Sequence, residues 1–156
     1  MNNSKSGVHD FQKYFFIQEQ TKQMNSINTD TAAMKRIGDI LDKKRDMIKL
    51  SLSACVHCSI CSDSCFMFNS NKKDPTYTPA YKVINSIGRI YKKRGKLSDS
   101  EYDKIKILIW DKCVLCMRCY CPLGISIPSL IACARSVCRE KGFYRTYDDT
   151  ADGPEI

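Results

Sequence analysis

Eight of the ten cysteines in this chain fall into two tight groups, Cys55-x2-Cys58-x2-Cys61-x3-Cys65 and Cys113-x2-Cys116-x2-Cys119-x-Cys121-Pro122. Two-residue gaps let a tight coil present successive sulfurs to neighbouring irons of one cubane, and a fourth cysteine set further on commonly ligates the other cluster of a pair. A zinc site favours separated pairs, because one tetrahedral ion draws its ligands from two knuckles. The spacing therefore points to iron–sulfur chemistry, two [4Fe-4S] clusters, with all eight cysteines as candidate ligands. The second group departs from the first in one respect. Its fourth cysteine comes two residues early, at Cys121, and Leu123 holds the position that the first group's spacing would give. Pro122 directly after it forces the chain to turn away from a cube, which supports Cys121 as the fourth ligand.

Cys133 and Cys138 lie outside both groups. Cys133 falls on an apolar helix face, where cysteine behaves as a small hydrophobe. It is also the residue that would stand in for Cys121 if the short loop failed to reach. His57, inside the first group, reads as a solvent-facing loop residue with the alternative of hydrogen bonding to cluster sulfur. Trp110, just before the second group, reads as core packing that could also shield a cluster from water.

The elements that must position these residues read as helices. Residues 1–30 are polar, with an aromatic knot from Phe11 to Ile17, and read as a loosely ordered arm. From Asp30 the pattern turns helical, with Met34, Ile37, Leu41 and Ile48 on one face, which predicts a helix from about 31 to 50 leading into the first cysteines. Between the groups, Asn69 to Tyr77 reads as loop with a turn at Asp74-Pro75. Thr78-Pro79 then reads as N-cap plus first-turn proline. Ala80, Ile84, Ile87 and Tyr91 share a face, and Gly95 is the stop. Ser98 and Glu101 form a capping box for a helix carrying Tyr102, Ile105, Leu108 and Ile109 inward to Trp110. After the second group, Pro128 opens a last helix that faces the core with Leu130, Cys133, Ala134 and Val137 and ends at Gly142. Strand signals are nearly absent, so the fold is expected to be all-α: an α-helical dicluster domain over 31–147, with flexible tails at 1–30 and 148–156.

Composition narrows the setting. Nothing in residues 1–30 reads as an export signal; Tyr14-Phe15-Phe16-Ile17 is too short for its apolar core. No apolar run approaches the ~18 residues of a membrane span, since Ile105 to Trp110 is broken by Lys106. Clustered cysteines without export fit a reducing cytoplasm, where they hold metal rather than disulfides. The net charge is +8, from 25 basic and 17 acidic residues, and its densest runs, Lys43-Lys44-Arg45 and Lys92-Lys93-Arg94, are short. They read as solvated faces, with docking of an acidic redox partner as the alternative.

The two cysteine groups with a long helical stretch between them resemble the α-helical ferredoxin domain of the heterodisulfide reductase C-subunit family. Related domains occur in succinate dehydrogenase iron–sulfur subunits and in the N-terminal part of the fused, D-type heterodisulfide reductases. The resemblance covers about residues 48–147. It rests on both cysteine groups and on Asp74-Pro75, Thr78-Pro79, Lys82, Cys121-Pro122-x-Gly124-Ile125, Arg135 and Gly142. It departs at Phe66, where the family often has proline, in the shortened second group, and in lacking the cysteine-rich catalytic domain of larger members. The resemblance implies crossed ligation: Cys55, Cys58 and Cys61 with Cys121 on one cluster, and Cys113, Cys116 and Cys119 with Cys65 on the other.

No nucleophile–base pair, glycine-rich phosphate loop or flavin motif appears, so catalysis must belong to a partner. By resemblance the chain is an electron-transfer subunit, not itself a catalyst. Its partners would be a cysteine-rich catalytic subunit of the heterodisulfide reductase B type and a flavin-bearing or membrane-bound electron-transfer subunit. That arrangement admits peripheral association with a membrane complex. The same features suit an iron–sulfur subunit of a quinone or organic-acid dehydrogenase. A metal-dependent regulator would need a reading helix with clustered Lys and Arg; no segment has one, and no nucleic-acid partner is expected.

Overall fold

The structure, a computed structural model, describes residues 30–146; the expected acidic tail and all of the N-terminal arm before Asp30 lie outside the described residues. Among the described residues there is no strand, in agreement with the all-α expectation. Among the described residues no helix is long and apolar enough to cross a membrane.

Helix α1 occupies residues 30–43 and α2 spans Arg45–Ala54. The helix expected over 31–50 is therefore broken at Lys44 and extends to Ala54. Ile37, Leu41 and Ile48 are fully buried, as their spacing predicts, and Met34 is partly so. Residues 42–46 are all charged and exposed, so no packing holds that turn regular. The Lys44 amide still reaches the Ile40 carbonyl at 3.2 Å and the Ile48 amide the Lys44 carbonyl at 3.0 Å, so the two helices stay joined.

A short helix, α3 (Phe66–Ser70), precedes the stretch read as loop and overlaps only its first two residues, and a 3-10 turn, Pro75–Tyr77, closes that stretch. Asp74 caps that turn, its Oδ1 accepting from the Thr76 amide at 2.8 Å, and this bond holds its carboxyl below the usual range. Helix α4 (Pro79–Val83) follows, with Thr78 at the cap and proline in the first turn as expected, though the Thr78 side chain makes no capping bond. It runs through a π turn, Ile84–Gly88, into α5 (Arg89–Lys92). The inward residues are Ala80, Val83, Ile87 and Ile90, rather than Ile84 and Tyr91, which are half-buried. The face has rotated because this helix must also bury Lys82 and Ser86.

The capping box is present: the Glu101 amide donates to Ser98 Oγ and the Ser98 amide to Glu101 Oε2. It starts α6 (Asp99–Lys106), which passes into a second π turn, Ile107–Asp111. Tyr102, Ile105 and Ile109 are buried, while Leu108 is half-buried because the wider turn swings it aside. Helix α7 (Ile127–Glu140) packs on α4, α6 and both π turns, with Leu130, Cys133, Ala134 and Val137 inward. Its end is a Schellman motif on Gly142 (φ 87°), with Phe143 N–H on the Cys138 carbonyl at 2.8 Å and Gly142 N–H on that of Arg139 at 3.0 Å.

One close approach locks the far end of this bundle. Arg94 and Gly95 both have positive φ (52° and 75°), and a Cβ on Gly95 would lie 2.6 Å from Ile37 Cγ2. Tyr102 donates its hydroxyl to the Gly95 carbonyl at 2.7 Å and stacks on Phe143 at 5.3 Å, so α1, α5, α6 and the C-terminal cap meet at one glycine. Gly95→Ala combines a left-handed alanine with an overpacked contact, and together these are expected to destabilise by about 2–4 kcal/mol. A lowered denaturation midpoint in anaerobic protein checks this.

Candidate metal centre

The cysteine loops hang between helix ends. Cys55 is the C-cap of α2, Cys61 sits in a 3-10 turn (Ile60–Ser62), and Cys65 caps α3. Cys113 follows the second π turn closely, and Cys121 starts a turn closed by the Gly124 amide on its carbonyl at 3.0 Å, with Gly124 at φ 72°. The two loops repeat one backbone shape. The residues two and four places after each first cysteine, His57 and Ser59 in one loop and Leu115 and Met117 in the other, all have φ between 54° and 63°. None is glycine, and each such residue costs on the order of 1–2 kcal/mol. Among the described residues, the amides of His57 to Ser59 and of Val114 to Cys119 donate to no carbonyl. Two loops that bear the same strain, with the amides two to four places after the first cysteine free in both, suit an acceptor between the sulfurs.

The sulfurs stand around two hollows. Cys55, Cys58, Cys61 and Cys121 line one of about 440 Å3, and Cys65, Cys113, Cys116 and Cys119 line the other, about 390 Å3, both volumes including the open mouth. The remaining walls are almost wholly apolar, and Ile127 lines both hollows, so they lie side by side. The fourth cysteine of each sequence group thus sits with the other group's first three. Electrostatics repeat the partition. Burial raises the Cys61 thiol, partly offset by the Ala80 amide, and the other charges felt there are those of Cys55, Cys121 and Cys58. Burial pushes the Cys119 thiol up to about 12, helped by Cys65, Cys113 and Cys116 and opposed by Lys82. Thiols this reluctant to ionise alone become good ligands when a metal centre displaces the proton.

The donor set fits four-iron clusters better than single ions. Among the described residues, no three His, Cys, Asp or Glu side chains converge as one ion would need. Four sulfurs around a mostly apolar hollow match a cluster that spreads its ligands over several irons. Ser62, between Cys61 and Cys65, is buried with a hydroxyl that has no hydrogen-bond partner, although it lines neither hollow.

Other predicted residues separate from the hollows. Cys133 lines a different groove, beside Lys44 and Met47, and Cys138 is fully buried in the core with its thiol pushed up to about 12 by that burial. His57 is exposed, as its loop position suggested. Trp110 is half-buried, with the guanidinium carbons of Arg135 and Arg139 5.3 and 5.6 Å from its ring centre.

Two residues read from sequence only as part of a resemblance take on definite roles. Arg135 donates from Nε and Nη2 to the Ile109 carbonyl at 2.9 and 2.6 Å and from Nη2 to the Cys113 carbonyl at 2.5 Å. It clasps the π turn to the second cysteine loop. Lys82, 2 % exposed, lines the second hollow with Nζ 3.9 Å from Cys65 Sγ. Neither role was legible in spacing, because both depend on helices distant in sequence. Removing the clasp by Arg135→Met leaves two carbonyls short of a donor and is expected to cost about 2–4 kcal/mol by anaerobic denaturant titration. Arg135→Lys recovers only part of this, since an ammonium cannot reproduce the fork.

Residues 51–125, both cysteine groups and the helices between them, match a family described as a 4Fe-4S dicluster domain. Comparisons with curated proteins and with solved structures gave no match. The chain carries a ferredoxin-type 4Fe-4S dicluster domain whose cofactors are two [4Fe-4S] clusters, and such a domain suggests a role in iron–sulfur electron transfer.

Proposed function

We propose that this chain is the electron-transfer subunit of a heterodisulfide reductase-like complex, relaying single electrons to or from a cysteine-rich catalytic partner of the B type. In this reading Cys55, Cys58, Cys61 and Cys121 hold one cluster and Cys65, Cys113, Cys116 and Cys119 the other. The observation that carries the ligand assignment is the division of the eight sulfurs between two adjacent hollows. Each cubane takes up and gives back one electron without changing its ligands. The chain's own residues set where those electrons are held and who can reach them.

Access favours a protein partner. Val56, Ile60, Phe66, Val114, Met117, Tyr120 and Leu123, all on or beside the cysteine loops, are 43–70 % exposed. Apolar side chains gathered around a redox site suit a partner's apolar face, which would exclude water between donor and acceptor. A second partner, a flavin-bearing or membrane-bound subunit, completes the proposed chain of carriers. Peripheral docking on a membrane complex and a reducing cytoplasm are the setting that fits free thiols and a cluster cofactor.

Anaerobic protein is expected to hold about eight irons and eight sulfides and to give a spin-coupled low-temperature EPR signal after dithionite reduction. Cys121→Ser and Cys65→Ser are each expected to lose or alter one cluster, whereas Cys133→Ser keeps the full iron content. Loss of iron in Cys133→Ser with none in Cys121→Ser would reverse the assignment. For the partner, stopped-flow reoxidation of the reduced chain by a purified B-type catalytic protein should slow at least tenfold in Val114→Glu/Met117→Glu. Absence of transfer to that partner, with rapid transfer to a quinone-reactive dehydrogenase, would move the chain to the respiratory class.

A further inference from the structure

The two hollows differ in charge. The second is walled in part by Lys82, almost fully buried on α4, with its ammonium 3.9 Å from Cys65 Sγ and 5.9 Å from the Tyr77 ring centre. Among the described residues no carboxylate pairs with it. A buried ammonium without a counter-ion is costly, so its partner has to be the negative charge that four thiolates and a cluster bring to this hollow. Lys112 donates to Thr76 Oγ1 at 2.5 Å and lies 4.6 Å from the centre of the same Tyr77 ring, and Arg135 is fixed on the Cys113 carbonyl. The first hollow has no Lys, Arg, Asp or Glu among its lining residues.

Resting on the two-cluster reading, we infer that Lys82 sets an order between the sites: it makes the group held by Cys65, Cys113, Cys116 and Cys119 the easier of the two to reduce. An added electron makes a cluster more negative, and a fixed cation in a water-poor wall stabilises that state more than the oxidised one. The first site receives no such help, so the potentials separate although the ligands are alike. Lys82 acts here as a potential-setting residue. Its length and its burial beside Val83 and Ile87 fix the ammonium at one wall rather than letting it reach solvent.

The test is an EPR-monitored redox titration of the full chain loaded anaerobically, with iron and sulfide counted on each sample. Wild type is expected to show two resolved one-electron steps. Lys82→Met lowers the higher step by at least tenfold in the reduction equilibrium, which is 59 mV for one electron, and leaves the lower step in place. Lys82→Arg, which keeps the charge, stays near wild type. Unchanged potentials in a fully loaded Lys82→Met, a change confined to the lower step, or an equal shift of both overturns the inference while the two-cluster reading stands. Should Lys82→Met load only half the iron, Lys82→Gln replaces it. Half the iron in both overturns the inference as well, because the residue then builds the site rather than tuning it. Wild-type protein that takes up no iron and sulfide would sink the two-cluster reading itself.

Discussion

The structure depends on one exchange: Cys65 leaves its own sequence group to join Cys113, Cys116 and Cys119, and Cys121 leaves its group to join Cys55, Cys58 and Cys61. That exchange requires two loops nearly fifty positions apart to face each other across a single wall, with Ile127 between the hollows. The helices from α4 to α6 exist, in mechanical terms, to fold the intervening chain back so that this can happen. Their packing on α7 supplies the rigidity, since burying each isoleucine of that core contributes about 1.5–3 kcal/mol. A relay in which each loop completes the other's site also couples folding to cofactor assembly, because neither hollow has four sulfurs until both loops are in place.

The strain in the loops makes sense in the same frame. Four non-glycine residues with positive φ, matched pair for pair between the loops, would be an unexplained cost in a protein without a ligand there. They leave amides without carbonyl partners around a mostly apolar space, which is the arrangement a sulfur-rich anion satisfies. The two π turns serve the same positioning. They touch each other in the bundle centre, and the second presents the Ile109 carbonyl that Arg135 takes while it holds the Cys113 carbonyl. Irregular helix here is a way of reaching the cysteine loop, not a defect of packing.

Charge is divided between surface and interior. The basic runs around Lys44 and Lys93, separate in sequence, are brought together because Arg94 pairs with Asp42 at 3.1 Å; Lys93 pairs with Glu101 at 2.7 Å on the same side. These exposed pairs contribute little to stability, but they leave one basic region formed from two elements. The buried Lys82 and the half-buried Arg135 are of another kind. Each is committed to the second hollow or its loop, so that the two sites differ in field even though their ligands are all cysteine.

By itself, the sequence determined the chemistry and the helical character. Two cysteine groups at cluster spacing needed no fold to be recognised, because the gap between ligands is a local property of a short coil. The capping box at Ser98, the prolines at 79 and 128, the glycine stops at 95 and 142, and the buried set Ile37, Leu41 and Ile48 were legible for the same reason, being written within one or two turns. What local pattern could not carry was decided by packing. The break at Lys44 arises where an exposed, charged stretch has no packing to hold it, and the rotated face of α4 where long-range contacts outweigh propensity. The choice of Cys121 over Cys133 for the first hollow depends on which loop lies next to which. Lys82 entered the sequence reading only as part of a resemblance; only when α4 is laid against the second cysteine loop does its ammonium have nowhere to go but the wall of the hollow.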